Sequence, residues 1–306
     1  AHPQTFPSRP IRIIVPFPPG NASDLAARAI GDTIAKRIGQ PVIVDNRAGA
    51  SGAIGADAVA KAAPDGYTLM VTSTAFGVTA ALTPNLPYNA ERDLIPVARV
   101  GWTGMMLVAA PGVSARTVAD LVAALKKEPG KLNYAHLGNG ALSHMTMELF
   151  KLSAGVDVVG VPYKGSGQAL ADMIGGQLSL MFDGATSSGP QVKAGRLKGI
   201  AISSGERSRF FPEIPTLAES GIASLKDFDV KGWILAFAPA GTPRPIIDRL
   251  HDDIAAVVET PAILERMASQ NIESFPPASQ AETAAYLKGD IERWRRVVRE
   301  AKVTAQ

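Results

Sequence analysis

The chain has 306 residues, a net charge of +3, and 46% hydrophobic and 19% charged residues. This composition is typical of a folded globular protein, and the length suits two α/β lobes better than one core. Cysteine is absent, which excludes thiolate catalysis, disulfide bonds and cysteine metal sites.

The distribution of basic and apolar residues argues against two further kinds of partner. The basic residues are scattered apart from Arg293, Arg295, Arg296 and Arg299, a cluster more typical of a solvated helix face than of a nucleic-acid site. No apolar run reaches the roughly 18 residues that a transmembrane helix needs. We therefore expect no nucleic-acid partner and no membrane span.

Strand-like apolar runs alternate with helix-like patterns along the first two thirds of the chain. This alternation predicts parallel sheets with covering helices, in which ligands bind at the carboxyl ends of the strands. The predicted strands are residues 12–15, 42–44, 68–72, 105–109, 132–134, 158–161, 178–182 and 199–203. The predicted helices span about residues 23–38, 52–62, 117–127, 142–153 and 167–175.

The last third of the chain carries helix-start signals. Thr242-Pro243 and Thr260-Pro261 each predict an N-cap followed by proline at the first helical position. Ser279 with Glu282 predicts a capping box that opens a long last helix. The predicted buried stripe of that helix is Leu287, Ile291, Trp294 and Val298.

Two passages about 130 residues apart in the printed sequence resemble each other. Gly101-Trp102 and Gly232-Trp233 each precede an apolar strand that runs into a Pro/Gly turn. The pair suits two strands that cross between lobes. Coincidence stays open as an explanation, because apolar strands after glycine are common.

Five predicted strand-to-helix turns are rich in small residues, which let backbone donors approach a ligand closely. They are residues 17–24, 46–52, 72–75, 136–144 and 162–167. The first, which follows the strand at 12–15 and precedes a helix behind Ser23, predicts an anion site built from backbone N–H groups. The predicted ligand-binding residues are Phe17, Pro18, Pro19, Gly20, Asn21, Ser23, Ser73, Thr74, Ala75, Gly138, Asn139, Gly140, Ser143, His144, Tyr163, Lys164, Gly165 and Asp183.

Two charged residues of this set have two interpretations each. Lys164 either pairs with a ligand charge or is a solvated lysine beside a turn. Asp183 follows an apolar strand and either caps a helix or accepts hydrogen bonds from the ligand or its waters.

Enzyme motifs are mostly absent. Residues 138–143 lack the third glycine of a dinucleotide loop, residues 160–166 lack the P-loop lysine, and there is no G-x-S-x-G elbow. The four histidines have no metal-binding spacing. Ser143 and His144 are adjacent on a helix and point about 100° apart, which disfavours a triad with Asp183. We expect no catalytic residue, metal or cofactor, and interpret His144 as a hydrogen-bonding residue at a helix start.

Several motifs occur together and in a fixed order. They are residues 10–17, Pro19-Gly20 with Ser23-Asp24, and residues 44–47, 64–69, 86–88, 143–144, 148–150, 161–165 and 182–183. From about residue 8 to the C-terminus the chain resembles the periplasmic solute receptors of tripartite tricarboxylate transporters, also called Bordetella uptake gene proteins. The sequence departs from the family in carrying Gly20-Asn21 where Gly-Gly is usual, and we expect the turn to survive because asparagine tolerates a left-handed backbone better than most residues.

The resemblance implies a two-lobed α/β fold, like that of type II periplasmic binding proteins, with two crossover strands and a ligand cleft between the lobes. Lobe 1 would comprise residues 1–101 and 233–306, and lobe 2 residues 102–232. The ligand would be a small carboxylate, namely a di- or tricarboxylate or an aromatic acid, which is captured by lobe closure.

The resemblance also implies a monomeric periplasmic protein that serves membrane transporter subunits or a sensor kinase. The start of the chain, which lacks a charged-then-apolar signal, would be either the trimmed end of an exported protein or a cloning remnant. The main alternative is a two-lobed α/β enzyme acting on a carboxylic acid. A regulator's effector domain is less favoured, because the first strand starts near residue 11 and leaves no room for a helix-turn-helix segment.

Overall fold

The computed structural model of the protein describes residues 6–304, and its strands and helices alternate along the chain. The start of the chain interpreted above falls mostly outside the described residues. In chain order the strands are β1 (Ile11–Val15), β2 (Val42–Asn46), β3 (Thr68–Ser73), β4 (Leu94–Ala109), β5 (Asn133–His136), β6 (Val159–Pro162), β7 (Leu180–Gly184), β8 (Lys198–Ile202) and β9 (Lys231–Pro239). The α-helices are α1 (Ala22–Ile38), α2 (Ala53–Ala60), α3 (Ala75–Leu82), α4 (Val118–Lys127), α5 (Leu142–Ala154), α6 (Ser166–Ile174), α7 (Ala185–Lys193), α8 (Arg244–Val258), α9 (Pro261–Ala268) and α10 (Gln280–Glu300).

The predicted alternation of strands and helices is confirmed, but two helices were missed. Both α3 and α7 are short and follow directly on a strand. Helix α7 contains two serines, a glycine and Pro190, which are poor helix formers. Phe76 and Ala185 are buried, so packing rather than propensity stabilises these helices.

Among the helix-start signals of the last third, Thr260 takes the predicted N-cap position of α9, but its hydroxyl donates to the Val257 carbonyl and does not cap the helix. The capping box is confirmed, because Ser279 N donates to Glu282 Oε2 (2.7 Å) and Glu282 N donates to Ser279 Oγ (3.2 Å). Thr242 is not a cap: Pro243 takes the N-cap position of α8, and the Thr242 hydroxyl donates to the Pro239 carbonyl. In α10 the predicted apolar stripe ends on Val297 rather than Val298, because Val297 is the buried one of the two.

The chain groups into two compact units. The first unit is the chain through Trp102 together with Trp233–Arg293, and the second is Thr103–Gly232 together with the chain from Trp294 onward. The chain passes between the units within β4 and within β9, at the two Gly-Trp passages. The predicted lobes place all of α10 in lobe 1, whereas its last residues group with the second unit.

The first unit contains a sheet with strand order β2-β1-β3-β9, in which β1 is parallel to both neighbours and β9 is antiparallel to β3. Alternate residues of a strand point to opposite faces. Accordingly Ile13 packs in the core formed with α1 and α8, while Ile14 packs in the core formed with α2 and α10. Helices cover both faces, so the strands read as continuous apolar runs.

In the second unit β5 pairs in parallel with β6 and β7, while β4 pairs antiparallel with β7 and β8. A core of buried side chains from β4, β7 and α6 includes Met106, Met181 and Leu170. The sequence predicts parallel sheets. The structure adds an antiparallel strand to each sheet, β9 in the first unit and β4 in the second, and within these two strands the chain passes from one unit to the other.

Gly55 and Gly289 provide a matched test of packing, since both lie inside helices. A Cβ at Gly55 would lie 2.7 Å from Pro16 Cβ and 2.8 Å from the Arg47 carbonyl oxygen, whereas a Cβ at Gly289 meets nothing within 4 Å. We expect Gly55→Ala to lower the free energy of unfolding by about 1–3 kcal/mol through steric overlap. Gly289→Ala should raise it by about 0.5–1 kcal/mol. Chemical denaturation of both variants checks this, and equal effects would contradict it.

Candidate functional site

Three loops of the first unit lie at one edge of its sheet. Strands β1, β2 and β3 are parallel, so their carboxyl ends share that edge. The predicted residues Phe17–Ser23 follow β1 and Ser73–Ala75 follow β3. The loop at 47–52, which follows β2, lies at the same edge but was not included in the predicted site residues.

The carboxylate of Asp24 holds the first loop in place. It accepts hydrogen bonds from Gly20 N (2.9 Å), Asn46 Nδ2 (3.0 Å) and Arg28 Nε (3.0 Å). Asn46 Nδ2 also donates to the Phe17 carbonyl (3.1 Å), which ties the loop after β1 to the end of β2. Burial by itself raises the pKa of Asp24, but the bonds from Gly20, Arg28 and Asn46 outweigh it and the pKa lies below its usual value.

Asn21 caps α1 and uses its whole amide within the loop. The left-handed backbone expected at Asn21 is wrong, because an N-cap residue is extended (φ −79°, ψ 169°) and the positive φ of this turn falls on Gly20 (89°). Its Oδ1 accepts from Asp24 N (3.1 Å), and its Nδ2 donates to the Pro18 carbonyl (2.7 Å). Leu25 N already bonds to the Asn21 carbonyl. Among residues 6–304 the amides of Ala22 and Ser23 and the Ser23 hydroxyl have no hydrogen-bond partner. These donors remain at the start of α1, where the helix dipole favours an anion.

The loop after β2 has an unusual backbone that the sequence indicated only by its small residues. Gly49, Ala50, Ser51 and Gly52 all have positive φ values, of 135°, 46°, 53° and 92°. A Cβ at Gly52 would lie 3.3 Å from the Phe17 ring, so this loop packs on the first one. Consecutive strained residues that include Ala and Ser are typical of functional loops.

The predicted residues after β3 are anchored by the backbone of β9. Thr74 N donates to the Trp233 carbonyl (3.1 Å), and Trp233 N donates to Thr74 Oγ1 (2.8 Å). Thr74 is buried, and no side chain caps the start of α3. Thr74 therefore positions the turn, while the first amides of α3 have no capping side chain.

The second unit presents a corresponding set of loops. Strands β5, β6 and β7 are parallel, so the predicted residues Gly138–His144, Tyr163–Gly165 and Asp183 lie at one edge of its sheet. No side chain caps α5, α6 or α7, which begin at these loops. By contrast α4, which begins elsewhere, has a complete capping box of Thr117 and Asp120.

Ser143 and His144 bond to their own loop. Leu137 N donates to Ser143 Oγ (3.0 Å), and Gly140 N donates to His144 Nδ1 (3.1 Å). These bonds confirm the interpretation of His144 as a hydrogen-bonding residue at a helix start. The two side chains fix Gly138–Gly140 instead of forming a nucleophile–base pair.

His144 lies in a buried polar cluster. Its ring stacks on that of His136 with 4.5 Å between centroids, and its Nε2 lies 3.9 Å from Glu148 Oε1. Glu148 also accepts from Tyr134 Oη (2.7 Å) and Lys151 Nζ (2.9 Å). Burial, together with the charge of a protonated His136, lowers the pKa of His144 to about 4. Burial likewise lowers the pKa of His136.

Asp183 links the starts of two helices. Its carboxylate accepts hydrogen bonds from the Ser166 hydroxyl at the start of α6 (2.6 Å) and from the Ser187 hydroxyl in α7. Burial raises the pKa of Asp183, although the hydroxyl donors oppose the shift. The side chain therefore positions the loops at this edge.

Tyr163 and Lys164 differ in whether the polar group of the side chain is available to a ligand. The Tyr163 hydroxyl donates to Asp172 Oδ2 (2.7 Å), and its amide bonds to the His136 carbonyl (2.8 Å). Lys164 is exposed and has no hydrogen bond or ion pair with any residue that the structure describes. It is a cation at the loop edge of the second unit.

The described part of the chain contains no cluster of three or more His, Asp or Glu side chains arranged for a metal ion. In the same residues no helix is long and apolar enough to cross a membrane.

An α/β chain of two units, each with uncapped helix starts at the carboxyl ends of parallel strands, is suited to binding an anionic ligand. The sequence model of the tripartite tricarboxylate transporter family receptor matches residues 26–303. The chain belongs to this family, and the resemblance and fold class expected from the sequence are confirmed.

Individual relatives show the same likeness over nearly the whole chain. Protein BugT of Bordetella pertussis is 38% identical over 298 residues, which cover 97% of this chain and 90% of that protein. The periplasmic binding protein BugD has a similar structure, with a TM-score of 0.76, 31% identity, and coverage of 98% of this chain and 100% of that one. MatC from Rhodopseudomonas palustris with bound malate has a TM-score of 0.75 at 32% identity, covering 96% of this chain and 100% of that one.

The N-cap role of Asn21 makes a stability prediction. Asn21→Ala should lower the free energy of unfolding by about 1 kcal/mol, because Asp24 N loses its acceptor, whereas Asn21→Ser should keep most of the cap. Asn139→Ala is the control, since Asn139 is exposed and its side chain has no hydrogen bond within the described residues. Denaturation curves that show Asn21→Ala as stable as the parent would contradict the capping role.

The lowered pKa of His144 predicts loss of stability in acid. The unfolded chain binds this proton near pH 6.5, whereas the folded protein binds it only near pH 4. The unfolded state is therefore favoured as the pH falls from 6.5 to 4, with a loss on the order of 2–3 kcal/mol. Protonation of His144 at Nδ1 would also break the hydrogen bond from Gly140 N, because two N–H donors would then face each other.

Denaturation at several pH values between 7 and 4 measures how steeply the free energy of unfolding falls with pH. His144→Gln should flatten this slope, and His251→Gln in the first unit should leave it steep. An equally steep slope in His144→Gln would assign the acid loss to other groups.

Proposed function

We propose that this periplasmic protein captures a small dicarboxylate on the loops that follow β1, β3, β5 and β6, and delivers it to membrane transporter subunits. The observation that carries the proposal is the set of donors left at the start of α1, namely the amides of Ala22 and Ser23 and the Ser23 hydroxyl. Membership of the receptor family and the malate bound to MatC support the same ligand class.

The energies of such contacts are sufficient for a receptor. Each helix N-terminus contributes about 0.3–1 kcal/mol to a nearby carboxylate, and each charge-assisted hydrogen bond about 1.5–3 kcal/mol. Four or five of these contacts, less the entropic cost of capture, leave the roughly −8 kcal/mol that corresponds to a micromolar dissociation constant.

The predicted site residues divide by role in this proposal. Ser23, Ala75, Gly138, Asn139 and Gly165 offer backbone groups and small side chains to the ligand, whereas Gly20, Asn21 and Gly140 bond within their own loops. Thr74, Ser143, His144, Tyr163 and Asp183 hold the loops through bonds inside their own units. Lys164 supplies an exposed positive charge for a second carboxylate.

Ligand-driven closure of the two lobes is the second part of the proposal. A dicarboxylate that binds loops of both lobes has a higher affinity for the closed arrangement than for the open one, and therefore shifts the population toward it. The closed protein would then be the form that transporter subunits, or a sensor kinase, recognise.

An enzyme acting on a carboxylic acid is the alternative, and the geometry of residues 137–144 disfavours it. Ser143 Oγ accepts from Leu137 N and His144 Nδ1 accepts from Gly140 N, so neither activates the other. The family and its solved relatives are solute-binding receptors.

Calorimetry of ligand-stripped protein tests the function. We expect malate or another dicarboxylate to bind with a dissociation constant near the micromolar range, in preference to citrate and benzoate. Ser23→Ala should weaken binding by about 10- to 100-fold through loss of one charge-assisted bond. Ser153→Ala, in the last turn of α5, is the matched control and should bind normally.

The outcomes separate the alternatives. Failure of all tested carboxylates to bind would overturn the receptor proposal. Conversion of one of them to product by the protein, with loss of turnover in His144→Ala, would support the enzyme.

A further inference from the structure

We infer that the first unit holds a second ligand site, a pocket beside α8 that takes a small organic monocarboxylate with an apolar body. The cavity has a volume of about 340 Å³. Its walls come from residues 98–100 of β4, from α8 and α9, and from the segment 274–278. All of these belong to the first unit, and none is a predicted dicarboxylate-binding residue.

Arg99 supplies the positive charge of this pocket. One of its terminal nitrogens donates to the Glu282 carbonyl (3.2 Å), and its guanidinium lies 5.3 Å from the centre of the Phe275 ring and 5.0 Å from that of Tyr286. Its Nε is buried without a hydrogen-bond acceptor among residues 6–304. The carboxylate of Glu282, whose pKa is lowered by hydrogen bonds from Ser279 and also by the charge of Arg99, lies beyond ion-pair distance. Because Nε has almost no accessible surface, a ligand in the pocket reaches the guanidinium through its terminal nitrogens, and a carboxylate brings acceptors and the opposite charge.

The other polar groups of the pocket limit the ligand's charge. His251 Nδ1 lies 2.9 Å from the Val97 carbonyl oxygen, which can only accept, so Nδ1 carries the proton and Nε2 has none in the neutral ring. Glu259 is exposed at the C-terminal end of α8 and adds a negative charge to the lining. A second carboxylate on the ligand would be repelled by Glu259, so this site should bind monocarboxylates in preference to dicarboxylates.

The rest of the lining is apolar. Val100, Val258, Leu264, Phe275 and Pro276 contribute to the walls. A cavity of this volume lies at the lower end of the range of small-molecule sites, which begins at roughly 300 Å³. A short-chain or single-ring monocarboxylate therefore has a suitable size, with its hydrocarbon on these side chains and its carboxylate at Arg99.

Calorimetric titration with hexanoate, and with 1-hexanol as the uncharged analogue, tests the site. We expect hexanoate to bind and hexanol to bind at least tenfold more weakly. Arg99→Gln should weaken hexanoate binding at least tenfold, and Leu264→Trp, which fills the cavity, should abolish it. Arg196→Gln, at an exposed position of the second unit, is the control and should bind hexanoate normally.

The same variants distinguish this site from the proposed dicarboxylate site. Arg99→Gln and Leu264→Trp should bind malate like the parent protein, and Ser23→Ala should bind hexanoate like the parent. Absence of hexanoate binding, or hexanoate binding that Ser23→Ala weakens and Leu264→Trp does not, would overturn the inference. If Arg99→Gln does not fold by circular dichroism, Leu264→Trp and the hexanol comparison decide it.

Discussion

Hydrogen bonding to a buried aspartate is the interaction on which each set of loops depends. In the first unit Asp24 binds the loop after β1 and the side chain of Asn46 at the end of β2. In the second unit Asp183, at the end of β7, binds hydroxyls of α6 and α7. Each carboxylate accepts these hydrogen bonds from groups of its own unit. The bonds fix the geometry of loops that consist mainly of small residues.

Side-chain capping differs among the helix starts at the strand ends, since Asn21 caps α1 after β1 whereas the helices after β3, β5, β6 and β7 have no such cap. Helices α4 and α10 begin with complete capping boxes, so their first amides are satisfied locally. Helices α3, α5, α6 and α7 begin at the carboxyl ends of strands and have no capping side chain. Stability is lost at these helix starts, because uncapped amides cost free energy, and the same amides become available to an anion.

The chain thus offers two chemically different ways to bind a carboxylate. The loops at the strand ends offer backbone amides and hydroxyls, whose positions are fixed before the ligand arrives. The pocket beside α8 offers the guanidinium of Arg99, which lies beside the rings of Phe275 and Tyr286. Several backbone amides can bind more than one carboxylate group, whereas a single guanidinium near Glu259 can bind only one carboxylate group.

The sequence by itself determined the alternation of strands and helices, the loops that follow β1 and β5, and the capping box of Ser279, because these depend on neighbours within a few residues. Only the tertiary structure decided that Asn46 binds Asp24 and that Trp233 binds Thr74. It also decided the positive φ values at 49–52, the helices α3 and α7, and the cavity at Arg99. These features depend on residues far apart in the chain, and local propensity contains no information about which of them meet.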